Sequence, residues 1–540
     1  MNVRYVEAAD IEGQDDWSDE DFGETDDEFD NEFDDEFDDG IDTGGSDSWD
    51  GDPSDGRSPS QFFQDADSRK VAVLAIILAV IILSAAVFTL RSGDDDEVEI
   101  IIIGYDWERA YADAEALVAN GPRMSGTDEE MEAALYIGGE FQRANLSNVI
   151  LENYVVTLYD VNSASLSIQG FSNAKGAINK NYQHTTKFMV LGYSGSTNGN
   201  EDFEIVFVGN GTDEAYAAAG NVQGKAALVK TDGTLSYTQL YRQAMNHSAG
   251  ANLIYGDRTM PISKTSAVTD EVNGGALPIT DVVDRADLIP HMMLSRGTGA
   301  EIKSWAENST GTLESCELTI DFDVTIEDRT TRVVVGEIPG NGDSDEFIVM
   351  GAHHDTIYCS EGGADNTAGV AGIIEIARQL AQHNPKRTIR MLTFGGEEEG
   401  LFGSKLYVQA HQEEIEKNCV FMTNFDMTDM NITADGKFNT LPTNTNSERR
   451  QKEIQKVADE YFRQNPDVAE KYNFSIGIME NYPYSDFFHF GDNGADFAAC
   501  WGQNSPGYHT PSDRLSTTNP ESWQVAGGIF GSYTLWLANS

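Results

Sequence analysis

Apolar residues recur with two spacings along most of this chain, and these spacings predict helices and strands. Intervals of three and four positions predict the helices Asp106–Asn120, Asp128–Ala144, Tyr237–His247, Asn366–His383, Leu401–Glu414, Ser447–Arg463 and Pro520–Ala538. Short runs of β-branched and aromatic residues predict strands at 149–158, 331–338, 346–353, 388–396, 418–427 and 495–502. Because strands and helices alternate from about residue 326 onwards, we predict an α/β fold with a mostly parallel, buried sheet.

Residues 159–325 have a different pattern, in which short β segments are separated by turns of Gly, Asn and Asp. We therefore interpret this segment as a β-rich domain that is inserted between the two parts of the α/β domain, residues 105–158 and 326–540. Since the polar residues considered below all follow residue 326, we expect the inserted domain to cap or flank their site and to contribute no catalytic group.

Val71–Leu90 is a run of twenty residues without a charge. As a helix it would be about 30 Å long, which is the thickness of the hydrocarbon core of a membrane. We therefore predict a single transmembrane helix, which anchors the protein in the cell membrane. The run is preceded by three basic residues and followed closely by one, which are Arg57, Arg69, Lys70 and Arg91. This bias favours a cytoplasmic N-terminal tail and an extracytoplasmic C-terminal part.

Residues 1–68 form an acidic tail with 26 of the 91 acidic residues of the chain and two basic ones. Self-repulsion and a low apolar content predict that this tail is disordered. We interpret it as a solvated spacer; a basic partner that docks on its phenylalanines is the alternative, and such a partner is not identified. The net charge of −56 excludes a nucleic-acid-binding protein, because contact with phosphates needs a basic face. Four cysteines in 540 residues exclude a disulfide-rich scaffold.

Side chains of the metal-binding types follow the predicted strands of residues 326–540. They are, in chain order, His353, His354, Asp355, Asp365, Glu397, Glu398, Asp426 and His509. In a parallel sheet the carboxyl ends of the strands meet at one edge, so we expect these side chains to lie together. Imidazole and carboxylate ligands suit zinc, and five ligands can hold two ions if one carboxylate bridges them.

Five sequence blocks resemble the signatures of peptidase family M28, whose members are di-zinc aminopeptidases and glutamate carboxypeptidases. The blocks are GAHHDT, GGADNTAGVAGIIEIAR, EEEGLFGS, NFDM and PGYHTPSD. Residues 122–144 resemble the segment that leads into the catalytic domain of this family. Within the insert, GKAALVKTDGTLSYTQLYRQAMNHSAGANLIYGD resembles a protease-associated (PA) domain. The resemblance implies a zinc peptidase domain with two zinc ions per chain and a peptide substrate.

The resemblance also implies a role for each matching residue. The implied metal ligands are His353, Asp365, Glu398, Asp426 and His509, with Asp365 as the bridging ligand. Glu397 matches the general base, and Asp355 matches the carboxylate that orients the first histidine. Tyr482, three residues before Ser485, is a weaker match to a tyrosine that stabilises the oxyanion.

Three further residues have side chains of the metal-binding types but no assigned role. His354 directly follows His353, but the aspartate two positions after His353 favours His353 as the ligand. Glu399 falls at a variable position of the motif. His489 has no place in the pattern, and we interpret it as a structural or surface histidine.

The function that these features favour is a membrane-anchored di-zinc aminopeptidase. A glutamate carboxypeptidase-like exopeptidase is an alternative, because Arg449, Arg450 and Arg514 lie near the blocks in sequence and such enzymes use arginines to bind a substrate carboxylate. A receptor-like ectodomain without catalysis would have lost ligands or the base. A glutaminyl cyclase-like acyltransferase would bind one zinc and would lack the insert.

Overall fold

Two β-sheets organise the part of the chain that the structure describes. The structure is a computed structural model, and it describes residues 4–7, 98–172, 176–269, 276–308, 313–430, 439–501 and 507–540. The strands β1 to β18 are Arg4–Glu7, Ser147–Ser172, Gly176–Tyr182, Phe188–Val190, Glu201–Phe203, Ile205–Phe207, Ala226–Lys230, Ala251–Tyr255, Ala267–Thr269, Ala276–Pro278, His291–Leu294, Leu313–Ile338, Phe347–His353, Thr388–Phe394, Cys419–Asp426, Asn439–Thr445, Tyr472–Ile478 and Asp496–Trp501.

Helices flank both sheets. The α-helices α1 to α12 are Trp107–Val118, Asp128–Arg143, Asp213–Ala219, Tyr237–Asn246, Arg296–Asn308, Ala368–Leu380, Phe402–Ala410, Gln412–Asn418, Glu448–Gln464, Pro466–Ala469, Phe487–Asp492 and Trp523–Asn539. Short 3-10 helices lie at Ile279–Asp281, Arg285–Asp287, Leu515–Thr517 and Pro520–Ser522, and a π-turn lies at Gly363–Thr367.

The larger sheet has eleven strands, and its centre is parallel. The strands β14, β13, β15 and β18 run in the same direction side by side. Strand β13 is buried along its whole length, as expected for a strand that is covered on both faces. At the margins the sheet is mixed, because β12 pairs antiparallel with β14 and β16 pairs antiparallel with β18. The α/β fold is therefore confirmed, with a parallel centre in a mixed sheet.

Two strands of 26 residues each, β2 and β12, connect the larger sheet to the inserted segment. They form one antiparallel ribbon, whose register runs from the pair Ser147 and Glu337 to the pair Ser172 and Leu313. The predicted strand boundary near residue 159 therefore lies inside a continuous strand. The strand continues past residue 159 because polar and apolar residues still alternate there and no proline interrupts the run.

The inserted segment has a five-stranded sheet of its own, in the order β4-β11-β8-β7-β6. Four of these strands are parallel, and β4 is antiparallel to β11. Helices α3, α4 and α5 belong to the same segment, so the insert is mixed α/β instead of only β-rich. Only α4 was predicted; it begins with a capping box of Ser236 and Gln239. The short α3 and the glycine-containing start of α5 lack a comparable signal.

Some elements of the peptidase part differ from the predictions. The helix predicted over residues 401–414 is two helices, α7 and α8, which meet at His411. Strands β16 and β17 and helix α11 were not predicted. Strand β16 has the sequence NTLPTNT, whose polar residues and proline hide the strand pattern.

The predicted anchor at residues 71–90 and most of the acidic tail lie outside the described residues. Over the ranges that are described, no helix is both long and apolar enough to cross a membrane. Strand β1, Arg4–Glu7, pairs parallel with Ile150–Asn153 at the edge of the larger sheet. The tail is therefore not disordered throughout, because a short β-prone run covers a free strand edge there.

Candidate metal centre

The predicted ligands meet at the carboxyl ends of the parallel strands and form two clusters that share one residue. The first cluster consists of His353, Asp365 and Asp426, and the second consists of Asp365, Glu398 and His509. Within each cluster the candidate ligand atoms all lie within 4.8 Å of one another. Asp365 belongs to both clusters because its two oxygens face in different directions.

The two oxygens of Asp365 contact different histidines. Nε2 of His353 lies 3.2 Å from Oδ1 of Asp365 and 3.6 Å from Oδ1 of Asp426. Nε2 of His509 lies 3.3 Å from Oδ2 of Asp365 and 3.0 Å from Oε2 of Glu398. Asp365 therefore lies between two groups of candidate ligand atoms.

His353 and His354 point in different directions. His354 is fully buried, with Nε2 at 3.0 Å from Oε1 of Glu130 and Nδ1 at 3.1 Å from the hydroxyl of Thr393. It therefore contacts α2 and β14, whereas His353 faces the cluster. Strand β13 ends at His353, which faces the cluster, and His354, the residue after the strand, points away from it.

Asp355 fixes the loop that carries Glu397, Glu398 and Glu399. Its two carboxylate oxygens accept hydrogen bonds from the backbone N–H groups of Glu397 and Glu398, at 3.3 and 3.1 Å. Its Oδ1 also lies 3.6 Å from Nδ1 of His353. One buried aspartate thus contacts the first histidine and holds the backbone of Glu397 and Glu398, and its role as the orienting carboxylate stays a prediction.

A second carboxylate, Asp513, holds the loop of Asp365. Its oxygens accept hydrogen bonds from the backbone N–H groups of Ala364 and Asp365, at 2.8 and 3.0 Å. On the other side, the amide of Asn366 donates to the carbonyl oxygen of Phe425 at 2.7 Å, directly before Asp426. Asp513 and Asn366 lie inside the quoted blocks, but no role was predicted for either of them.

Arg123 connects the lead-in segment to the loops of the site. Its guanidinium is buried and donates to the carbonyl oxygens of His354 and Glu361 and to the hydroxyl of Thr367, at 3.1, 3.0 and 2.8 Å. Burial lowers the pKa of Arg123 to about 10. At neutral pH the group is still a cation, so it adds positive charge beneath an acidic site.

Electrostatics in the cluster indicate a deficit of positive charge. Burial opposes protonation of His353, but the carboxylates around it, Glu397 first, outweigh burial and raise the pKa of its imidazole well above the ordinary value. The pKa of Glu397 is also raised well above its ordinary value. Burial makes the largest contribution, and the carboxylates of Asp426 and Glu398 add to it, while His353 acts in the opposite direction. Carboxylates crowded in this way need cations nearby.

The donor set fits metal ions. Nε2 of His353 and Oε1 of Glu398 are buried and accept or donate no hydrogen bond within the described part of the chain. Such atoms are costly unless a bound ion or water satisfies them. Two imidazoles with three carboxylates are a typical donor set for zinc.

Glu399 and His489 lie away from the two clusters' ligand atoms. Glu399 is fully buried, and burial together with the nearby Asp355 raises the pKa of its carboxyl well above the ordinary value. His489 is buried in helix α11, with its ring against Phe488. The interpretation of His489 as a structural histidine fits this position.

Tyr508 is the tyrosine that the structure places at the cluster. Its phenol has a pKa raised well above the ordinary value by burial and then by carboxylates of the site, Asp365 first. The ring stacks on His509 with a centroid distance of 3.8 Å. Tyr482 is instead 37% exposed, and its phenol donates to Glu480 at 3.0 Å. The role predicted for Tyr482 stays a prediction, and Tyr508 is better placed for it.

The inserted segment reaches the site through its backbone. The carbonyl oxygen of Ser263 accepts a hydrogen bond from Nδ1 of His509 at 2.7 Å, a tautomer that leaves Nε2 free to face the cluster. The N–H of Ser263 donates to the carbonyl oxygen of His509 at 2.9 Å. The hydroxyl of Thr265 donates to the carbonyl oxygen of Glu398 at 2.7 Å. The insert therefore flanks the site, as expected, and also positions two of its residues.

Comparison with known proteins gives one family and a consistent fold. Residues 333–534 match the family described as Peptidase family M28. Aminopeptidase YwaD of Bacillus subtilis is 25% identical over 421 residues, which cover 76% of this chain and 80% of that enzyme. Leucine aminopeptidase 2 of Trichophyton rubrum is 25% identical over 305 residues, 56% of each chain. The structure of an aminopeptidase from Aneurinibacillus sp. strain AM-1 shares the fold, with a TM-score of 0.59 at 23% identity over 79% of this chain and 93% of that one.

Proposed function

Because residues 333–534 form a domain of peptidase family M28, we propose that this protein is a zinc-dependent aminopeptidase with two zinc ions in its site. The observation that carries this proposal is the position of Asp365, whose two oxygens face His353 and His509 separately. If two zinc ions bind, His353 and Asp426 would hold one and Glu398 and His509 the other, and Asp365 would be shared between them. Sequence relatives named as aminopeptidases support the N-terminal specificity.

The residues of the chain then have distinct tasks. When bound, zinc supplies Lewis acidity for the peptide carbonyl and for the attacking water. Glu397, next to Glu398 and held by Asp355, takes a proton from that water and transfers it to the leaving amine nitrogen. The phenol of Tyr508 donates a hydrogen bond to the carbonyl oxygen as negative charge develops on it.

The other candidate functions have less support. A receptor-like protein without activity would not need to retain five ligand residues and a base in one cluster. A one-zinc cyclase would not need the second donor set of Glu398 and His509. A glutamate carboxypeptidase-like activity has the same metal chemistry and differs only in how the substrate is held.

Substrates with blocked termini test this proposal. We expect the full-length protein, loaded with zinc and solubilised, to contain two zinc ions per chain by elemental analysis. It should hydrolyse Leu-Leu-amide and should not hydrolyse N-acetyl-Leu-Leu. Hydrolysis of only the acetylated peptide would favour a carboxypeptidase, and full metal content without hydrolysis of any peptide would favour a receptor.

We further propose that residues 71–90 anchor the enzyme in the cell membrane, with the catalytic part outside. The support is the apolar run itself. Pairing of β1, Arg4–Glu7, with Ile150–Asn153 requires both segments on one side of a membrane, so this pairing and the proposed topology are alternatives. Protease added to intact cells should remove residues 98–540 and leave an N-terminal epitope intact. Digestion of the epitope together with the catalytic part would contradict the proposed topology.

A further inference from the structure

A lysine of the inserted domain lies beside the metal centre in a fixed position. Lys264 follows Ser263 and precedes Thr265, which are the two residues bonded to His509 and Glu398. Its own carbonyl oxygen accepts a hydrogen bond from the N–H of Gly192 at 2.9 Å. The backbone of Lys264 is therefore held from both sides.

The side chain of Lys264 extends to the tyrosine of the site. Its Nζ lies 3.5 Å from the phenol oxygen of Tyr508 and 5.3 Å from the centre of that ring. Burial lowers the pKa of His509 and the positive charge of Lys264 adds a smaller decrease, but the carboxylates of Glu398 and Asp365 outweigh both and raise this pKa to about 9. The ammonium group thus lies next to Tyr508, the proposed oxyanion donor.

In the described part of the chain, no carboxylate forms an ion pair with this ammonium group. Among the residues that the structure describes, no Asp or Glu oxygen lies within ion-pair distance of Nζ of Lys264, although the chain has 91 acidic residues and 35 basic ones. Lys180, Lys225 and Lys303 of the insert each pair with a glutamate, and Lys187 and Lys230, which have no ion pair in the described part of the chain, are exposed, whereas Lys264 is half-buried. A half-buried ammonium group that has no ion pair among the described residues and lies beside the carboxylates of the site is a suitable partner for an incoming anion.

We propose that Lys264 binds a carboxylate of the substrate, and that the enzyme therefore prefers short peptides whose C-terminal carboxylate lies one residue after the cleaved bond. This inference rests on the proposed function and names its substrate class, dipeptides. The acidic surroundings make a cation necessary, because a substrate carboxylate would otherwise be repelled by the carboxylates of the site. The carboxylate of an acidic side chain in the second residue of the substrate could bind Lys264 in the same way. The test below distinguishes this side-chain carboxylate from the C-terminal one.

The test compares three substrates on the full-length enzyme: Leu-Leu, Leu-Leu-amide and Leu-Glu-amide. A hydrogen bond to a charged group contributes about 1.5–3 kcal/mol, which corresponds to about ten- to a hundredfold in kcat/KM. We expect wild-type enzyme to prefer Leu-Leu to Leu-Leu-amide by about tenfold or more. Lys264→Met should abolish most of this preference, and Lys264→Arg should restore much of it. A preference for Leu-Glu-amide over Leu-Leu would assign the carboxylate to a side chain and overturn the dipeptide assignment.

Lys303→Met is the matched control, because it removes the same charge from the insert. Lys303 packs over Phe207 of β6, which is one edge strand of the smaller sheet. The other edge strand, β4, leads directly to Gly192, which is hydrogen-bonded to Lys264. The two lysines therefore lie at opposite edges of this sheet. The control should keep the acid-to-amide ratio of the wild type. Equal losses on Leu-Leu and Leu-Leu-amide in Lys264→Met would overturn the proposal and would indicate that Lys264 acts through Tyr508.

A binding measurement keeps this inference separate from the proposed function. Leu-Leu with a reduced peptide bond, as the free acid and as the amide, is titrated into wild type and Lys264→Met by calorimetry. Tighter binding of the acid to wild type, lost in the variant, supports the carboxylate site even if no peptide is hydrolysed. Equal affinity of wild type for the acid and the amide would overturn it, whatever the activity.

Discussion

Nδ1 of His509 donates a hydrogen bond to the carbonyl oxygen of Ser263 over a distance of 2.7 Å. The last predicted ligand of the metal centre is thus oriented by a residue of another domain. Outer partners of ligating histidines fix the tautomer and the ring orientation. The inserted domain therefore contributes to the metal centre itself, while all the predicted ligands come from the peptidase part.

Replacement of Thr265 by valine should weaken metal binding. The variant keeps the shape of the side chain and loses the hydrogen bond from its hydroxyl to the carbonyl oxygen of Glu398. A neutral hydrogen bond contributes about 0.5–1.5 kcal/mol, so we expect the zinc dissociation constant to rise about two- to tenfold. Competition with a chelator measures it. Thr319→Val, which removes an exposed hydrogen bond to Asp202 in the same domain, should leave zinc affinity unchanged, and equal values for both variants would contradict the prediction.

Glu397→Gln and Glu398→Gln should fail in different ways. Glu397→Gln cannot accept the proton of the attacking water, so turnover should fall by about a hundredfold or more with both metals retained. Glu398→Gln should lose metal from the cluster of Asp365 and His509, because an amide is a poor zinc ligand. Elemental analysis beside turnover distinguishes them. The reverse pattern, with the metal lost only in Glu397→Gln, would exchange the two roles.

His353→Gln and His354→Gln test which of the adjacent histidines binds metal. His353 faces Asp365 and Asp426, so its replacement should release zinc. His354 is bonded to Glu130 and Thr393, so its replacement should keep zinc and lower the free energy of unfolding by about 1–3 kcal/mol. Metal content and urea denaturation of both variants check this. Zinc loss in His354→Gln alone would place the ligand one residue later.

Arg123→Met should destabilise the whole peptidase part. The variant leaves one buried carbonyl oxygen, one half-buried carbonyl oxygen and one buried hydroxyl without this donor, at a cost of about 1–3 kcal/mol for each buried group. We therefore expect a loss of about 3 kcal/mol or more in the free energy of unfolding, measured by urea denaturation. Arg449→Met removes an exposed ion pair with Glu453 and should change stability by less than about 0.5 kcal/mol. Similar losses in both variants would show that the hydrogen bonds of Arg123 contribute little.

The clustering of the candidate ligands could be predicted because local sequence places them at the ends of strands. His353 and Asp426 end apolar strands, and Asp365 lies in a glycine loop, so each has a pattern that is visible within ten residues. Parallel strands then bring these ends together without further information. The helices α1, α2 and α9 were predicted within two residues of their observed ends for the same reason.

The supporting contacts could not be predicted because they depend on distant parts of the chain. Ser263 acts through its backbone, which has no residue signature, and its partner lies 246 positions later. Arg123 and Asp513 also reach across long separations. Tyr508 and Tyr482 are both tyrosines, and only the structure shows that Tyr508 lies at the cluster and Tyr482 at the surface. Sequence patterns describe an element, whereas these roles belong to pairs of elements.

The ribbon of β2 and β12 also sets an order for the assembly of this protein during synthesis. Ser147 and the residue whose carbonyl it bonds, Glu337, are 190 positions apart, so β2 leaves the ribosome long before its partner in the larger sheet exists. The strands of the smaller sheet, from Phe188 to Leu294, all emerge during that interval. That sheet can therefore be complete first and present a folded surface to the later strands. Among the candidate ligands His509 emerges last, so the metal centre cannot be complete before this residue has left the ribosome.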